Sequence, residues 1–326
     1  MATKNRPVIQ IVSHGPSCLD GVMAATAIER FYHGQRVIAR LAANHDSDRV
    51  IQGLELKTGG EADEIWITDL SWNLVETGEH LTELIGKGAR VYWIDHHRTA
   101  VGRADAPEFR VPFTARVLSE DYSAALLTFD FLTGRAGSLP PERARAFADF
   151  RAFAAIADDH DRWIHRIPES QDWALAVQTL GGMDSYREIV RLEHPRMTRR
   201  LKTALEEGLQ AMEKSLALAQ STIVDHPLGN GLTVRSACCF GYSSEVAAKL
   251  YEGLHQTVVA LFDLRSQGVS LRRSADCEVD LSALARALGG GGHAAAAGFS
   301  TPDLKRAPAE RLAELLGERL TTAPPD

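Results

Sequence analysis

Asp95-His96-His97 sets a carboxylate beside two imidazoles at the end of the apolar run Val91–Ile94. Carboxylate and imidazole together are ligands for divalent transition metals. Adjacent residues of an extended chain face opposite ways, so one of His96 and His97 can ligate metal while the other faces substrate or a supporting partner. Three other places offer the same chemistry. Ser13-His14-Gly15-Pro16-Ser17-Cys18-Leu19-Asp20-Gly21 carries an imidazole, a thiol and a carboxylate at spacings of four and two. Asp69 follows the apolar run Glu64–Thr68 (EIWIT). Asp158-Asp159-His160-Asp161 places three carboxylates within four residues, which repel unless a cation or Arg162 neutralises them. Far downstream stands Gly289-Gly290-Gly291-Gly292-His293, after Ser270-Leu271-Arg272-Arg273. Such glycines suit a backbone that approaches an anion closely and offers it N–H groups, with the dipole of a following helix in support. Simpler readings stand beside these: Asp20 as a plain helix N-cap, Asp158–Asp161 as a solvated helix end, and the glycines as a flexible loop.

The elements that must position these groups follow from periodicity. Strands are expected at Val8–Val12, Arg36–Leu41, Glu64–Thr68 and Arg90–Ile94, with helices at Val22–Tyr32 and Leu81–Gly86 between them. Alternating β and α elements imply an α/β fold with a doubly wound, mainly parallel sheet. Ligands of such sheets bind beyond the C-terminal strand ends, where His14, Asp69 and Asp95-His96-His97 all fall. A helix is expected over Asp121–Thr133, and another from Glu142 to Ala157 behind Pro140-Pro141. Residues 185–221 are helical in pattern, broken near Pro195, and suit a connector. The pattern then restarts, with strands at Leu232–Ala237, Thr257–Leu264 and Val269–Arg272 and helices at Ser244–Gly253 and Leu281–Leu288. The expected division is 1–184 for the metal-site domain, 185–221 for the helical linker, and 222–326 for a smaller α/β C-terminal domain with the glycine loop.

The 326 residues, 44% hydrophobic and 24% charged, suit a packed protein of about two domains. No stretch reaches the ~18 apolar residues of a membrane helix, and the first residues lack signal-peptide architecture. Cys18, Cys238, Cys239 and Cys277 show no paired spacing, so a reducing cytoplasm is the simplest expectation. A net charge of −7 argues against long duplex nucleic acid, but leaves room for a short phosphate-bearing ligand.

Taken together, these stretches resemble the DHH phosphoesterase superfamily, named for its Asp-His-His motif. Asp95-His96-His97 matches that motif, and Ser270-Leu271-Arg272, Gly290–His293 and Ala296-Ala297-Gly298 match the domain that accompanies it in nanoRNase/pAp-phosphatases, cyclic-dinucleotide phosphodiesterases and RecJ-like nucleases. The resemblance covers nearly the whole chain in the right order. It implies a centre of two divalent cations, manganese first, about 3.5–4 Å apart, that activate water. One cation would be held by His14, position 18 and Asp69, the other by Asp20, Asp69, His96 and Asp159, with Asp158 as the fallback for the last. His97 would face the substrate phosphate and Asp95 would orient the imidazoles. Arg272, Gly290, Gly291, Gly292 and His293 would clamp the distal phosphate or nucleotide from the second domain. The substrates implied are pAp, nanoRNA or linear or cyclic dinucleotides, and a homodimer is compatible with the family.

One departure stands out: the family places Asp where this chain has Cys18. Three readings compete. The thiol ligates and draws in iron or zinc; it turns away and weakens one metal position; or hydrolysis is lost and a nucleotide-binding sensor is left. A small Cys packed under the loop is the structural alternative. A polyphosphate or pyrophosphate hydrolase using the same metals is the alternative enzyme.

Overall fold

A computed structural model describes residues 7–58, 63–228 and 231–300, together with 304, 306 and 307. The chain divides into two compact units, Met1–Leu209 and Gln210–Asp326.

The first unit begins β1 (Val8–His14), α1 (Leu19–Phe31), β2 (Arg36–Ala42), α2 (Ser47–Gln52), β3 (Glu64–Thr68), α3 (Val75–Gly86), β4 (Arg90–Asp95), α4 (Arg98–Gly102) and β5 (Ala115–Leu118). Helices α5 (Ala124–Thr133), α6 (Pro141–Ala148), α7 (Arg151–Asp161), α8 (Ser170–Leu180), α9 (Gly182–Ile189) and α10 (Arg199–Ser221) follow. The five strands form one sheet in the order β2-β1-β3-β4-β5, and every neighbouring pair is parallel. The doubly wound reading therefore holds. Strand residues alternate between two cores, as a period of two requires. Ile9, Ile11, Trp66, Tyr92 and Ile94 face α1, α5 and α7; Val12, Ile65, Ile67, Val91 and Trp93 face the other side with Leu81 and Leu84 of α3.

The register decides where the polar ends fall. Ser13 stands opposite Thr68, and Thr68 opposite Ile94. His14, Asp69 and Asp95 are the next residue of three adjacent strands, so they leave the sheet together. The order also reverses between β1 and β3, which opens a crevice at that edge. Here α1 starts tight against the end of β1. A Cβ on Gly21 would lie 2.1 Å from the His14 carbonyl oxygen, and Ser13 Oγ donates to the Gly21 carbonyl at 2.7 Å.

Several expected elements differ. The helix expected from Glu142 to Ala157 is two helices, α6 and α7, separated at Asp149–Phe150. Strand β5 and helix α8 lie where no element is expected from the pattern. Tyr186, Ile189 and Leu201, from α9 and the start of α10, are buried in the first unit's core.

The second unit contains β6 (Val224–Pro227), β7 (Thr233–Cys239), α11 (Ser243–Tyr251), β8 (Thr257–Asp263), β9 (Gly268–Arg273), α12 (Leu281–Ala287), β10 (Gly291–His293) and β11 (Ala296–Phe299). Its sheet runs β10-β11-β9-β8-β7-β6, with only β7 and β8 parallel among its pairs. Val258, Val269, Leu271, Leu281, Ala285 and Ala297 make its core. The glycine run does not open a helix: it becomes β10, hairpinned to β11. Its small residues let two backbones meet. A Cβ on Gly290 would fall 2.1 Å from the Gly298 carbonyl oxygen, and Gly292 has φ +136°.

The Gly21 contact yields a direct test. Gly21→Ala forces backbone apart at the β1–α1 junction and is expected to lower unfolding stability by ~1–3 kcal/mol, measured by urea denaturation; an unchanged midpoint would show that the junction is not tightly packed.

Candidate metal centre

The β1–α1 loop directs two side chains inward. Cys18 is the N-cap of α1, with extended backbone (φ −91°, ψ 124°) and no side-chain capping bond. Its Sγ lies 3.4 Å from Asp69 Oδ2, and His14 Nδ1 lies 3.4 Å from the same oxygen. Asp20 is not a cap for its own helix. Its two oxygens accept from the Ala124 and Ala125 amides at 2.8 Å each, at the start of α5, where the helix dipole favours negative charge.

Asp69 holds the centre of the arrangement. It is 1% exposed, and its backbone takes a left-handed conformation (φ 54°), uncommon for a residue with a side chain and typical of functional turns. Oδ2 faces His14 and Cys18. Oδ1 faces His96 Nε2 at 3.3 Å and His97 Nδ1 at 3.8 Å. Asp161 Oδ2 lies 3.4 Å and Asp20 Oδ2 3.7 Å from His96 Nε2. Two donor groups result, His14–Cys18–Asp69 and Asp20–His96–Asp161, each with its ligand atoms within 4.8 Å of one another.

Asp95 serves the neighbouring imidazole. Its Oδ1 accepts from the His96 and His97 amides at 2.7 and 3.1 Å and lies 2.7 Å from His97 Nδ1. Its Oδ2 accepts from Ser71 Oγ at 2.7 Å. This fixes the ring of His97 through Nδ1.

The electrostatics show what the site lacks. Burial, then Asp69 and Asp161, push Asp20 well above the usual carboxylate range. Burial also raises Asp161. Burial works against a charged His96, yet Asp69, Asp161 and Asp20 lift it to about 11. Burial likewise opposes charge on His97, and Asp95 carries it up to about 9. For Asp69 burial alone would raise the value, but His14 and His96 outweigh it and hold the group low. Asp20, Asp69, Asp95 and Asp161 thus crowd four carboxylates around His96 and His97, and these directions are their response to burial and to one another. Asp69 Oδ1 is buried without a hydrogen-bond donor. Imidazoles, carboxylates and a thiol around an undersatisfied buried oxygen fit a divalent-cation centre.

Residues 238–321 match the DHHA1 domain. The chain is 27% identical over 303 residues to the oligoribonuclease NrnB of Bacillus subtilis, a span of 83% of this chain and 70% of NrnB. The chain carries a DHHA1 domain at its C-terminal end and is similar to the DHH phosphoesterases. Among solved structures, RecJ of Thermus thermophilus in complex with manganese aligns with a TM-score of 0.55 at 16% identity, over 99% of this chain and 53% of RecJ. An exonuclease RecJ bound to manganese aligns with a TM-score of 0.54 at 16% identity, over 95% of this chain and 89% of that one. These two likenesses are of fold.

In this chain His14, Cys18, Asp20, Asp69 and His96 gather as donors, with Asp95 and His97 beside them. Asp159 does not. Its carboxylate is turned back on the loop after α7, accepting from the Arg166 and Ile167 amides at 2.8 and 3.1 Å and from Ser170 Oγ at 2.6 Å. Asp158 accepts from the Ser123 amide at 2.7 Å. Asp161 is the carboxylate that reaches the centre. Its only sequence signal is membership of the same acidic run, and the supporting Ser71 and the α5 amides carry none. The reading in which Cys18 turns away also fails, because the thiol points at Asp69. In the second unit, Arg272 donates to Ser244 Oγ at 2.6 Å and to the Leu271 carbonyl at 2.8 Å, and Gly291, Gly292 and His293 lie in β10.

Asp159→Ala is expected to cost ~1–3 kcal/mol of stability while the thermal shift on adding manganese survives. Asp161→Asn should fold normally yet lose most of that shift, which is ~2.7 kcal/mol at a hundredfold excess over Kd. The reverse pattern, read by calorimetry, would restore Asp159 as the ligand. The acid limb gives a second check. Burial raises Asp159, but Ser170 and the two amides outweigh it and hold its folded value below the ordinary one. Its stabilisation is therefore complete above the unfolded value of about 3.9 and vanishes as pH falls through the lower folded value. The stability gap between wild type and Asp159→Ala should close only under that acid condition.

Proposed function

We propose that the chain is a metal-dependent phosphoesterase of small nucleotides or short oligonucleotides, with pAp, nanoRNA and linear or cyclic dinucleotides as the substrate class. The observation that carries the reading is Asp69: its two buried oxygens face two separate donor groups, as a carboxylate shared by two cations would. The relationship to NrnB, an oligoribonuclease, supports the choice of short oligonucleotides.

His14, Cys18 and Asp69 would hold one cation, and Asp20, Asp69, His96 and Asp161 the other. Bound there, divalent cations supply Lewis acidity and lower the pKa of water. The chain's own side chains do the rest. Asp95 anchors His97 through Nδ1, so that Nε2 would donate to a phosphoryl oxygen or to the leaving oxygen. The α5 amides hold Asp20 against the repulsion of its neighbours.

Turnover of pAp, dinucleotides and cyclic dinucleotides with manganese is the test. At least one should be hydrolysed, with His96→Ala abolishing it; equal rates in wild type and His96→Ala for every substrate would refute the reading. Asp95→Asn should lower kcat by ~10–100-fold, the usual loss on removing an orienting partner, and a wild-type kcat would remove Asp95 from the mechanism.

A further inference from the structure

We infer that Cys18 is a thiolate ligand, and that the centre is chemically asymmetric: a soft position at His14–Cys18–Asp69 for zinc or ferrous iron, and a hard position at Asp20–His96–Asp161 for manganese. The inference rests on the metal-centre reading above and specifies which ion each half takes.

The placement of Cys18 carries it. The residue caps α1 through its backbone, and its side chain makes no capping hydrogen bond. Sγ instead faces a carboxylate oxygen at 3.4 Å, and that oxygen is shared with His14 Nδ1 at 3.4 Å. A cysteine retained only for apolar packing would sit among hydrocarbon. This one is half-buried, in a polar cluster whose ligand atoms lie within 4.8 Å of one another. The anchor of the cluster, Asp69, is 1% exposed; its Oδ2 faces Cys18 and His14, and its Oδ1, on the His96 side, is buried without a hydrogen-bond donor.

The ligand chemistry then separates the halves. Sulfur, imidazole nitrogen and one carboxylate form a set that suits zinc or ferrous iron, and three protein ligands leave a position open for reaction. Two carboxylates and one imidazole, with Asp69 Oδ1 beside them, form an oxygen-rich set that suits manganese. A cation at the first position replaces the thiol proton, which passes to solvent, and removes the Cys18–Asp69 hydrogen bond in favour of two metal–ligand bonds.

Cobalt is the probe, because it reports sulfur ligation by absorbance independently of turnover. Titrating cobalt into the metal-free full chain should produce visible ligand-field bands and a near-ultraviolet sulfur-to-cobalt charge-transfer band. Cys18→Ser and Cys18→Asp should lose the charge-transfer band, and Cys18→Asp should keep the ligand-field bands. In competition, Cys18→Asp should shift the zinc-over-manganese preference by at least the ~10-fold that losing even an outer-shell partner costs. Cobalt bound by wild type without the charge-transfer band, or a band that persists in Cys18→Ser, would overturn the assignment of Cys18 and leave the centre standing. No cobalt bound by wild type would overturn the centre and the proposed function together.

Discussion

The constraint on which the site depends is the crowding of buried negative charge. Asp20, Asp69 and Asp95 are each 1% exposed or less, and Asp161 joins them around His96. Isolated buried carboxylates are strongly unfavourable unless paired and hydrogen-bonded. Each is therefore stabilised differently. Asp20 accepts from the first amides of α5, Asp95 from the two amides that follow it and from Ser71, and Asp69 stands 3.4, 3.3 and 3.8 Å from ring nitrogens of His14, His96 and His97. These donors do not exhaust the demand, and a pair of divalent charges would complete it.

The sheet creates this crowding deliberately in one place. Parallel strands in the order β2-β1-β3-β4-β5 end at a common edge, and the register releases His14, Asp69 and Asp95 at the same level. Helices cover both faces of the sheet, and the polar residues that end β1, β3 and β4 emerge beside the reversal in strand order between β1 and β3. The left-handed turn at Asp69 aims one oxygen toward each group of donors.

Much of this was legible because strands announce themselves and end abruptly. Glu64–Thr68 is the same five residues in pattern and in structure, and YWI-Asp changes from apolar to acidic in one step. The choice among Asp158, Asp159 and Asp161 was not legible. It depends on where α7 stops and how the chain returns, and that return bends through left-handed Trp163 and His165. Neither residue type signals such a turn, yet the turn brings the Arg166 and Ile167 amides onto Asp159 and leaves Asp161 for the centre. The strand form of the glycine run was not legible for a related reason. A loop that opens a helix and the close pairing of two short strands call for the same residue, and the partner strand, β11, distinguishes them.

Asp69 therefore unites the two halves of the centre, with sulfur on one side and oxygen on the other. The most direct measurement is a crystal of the full chain grown with manganese and zinc, with anomalous data collected at each metal's absorption edge. Zinc density against Asp69 Oδ2 and manganese density against Oδ1 is the expected result. Absence of any anomalous density at Asp69, with ions bound elsewhere or not at all, would contradict it.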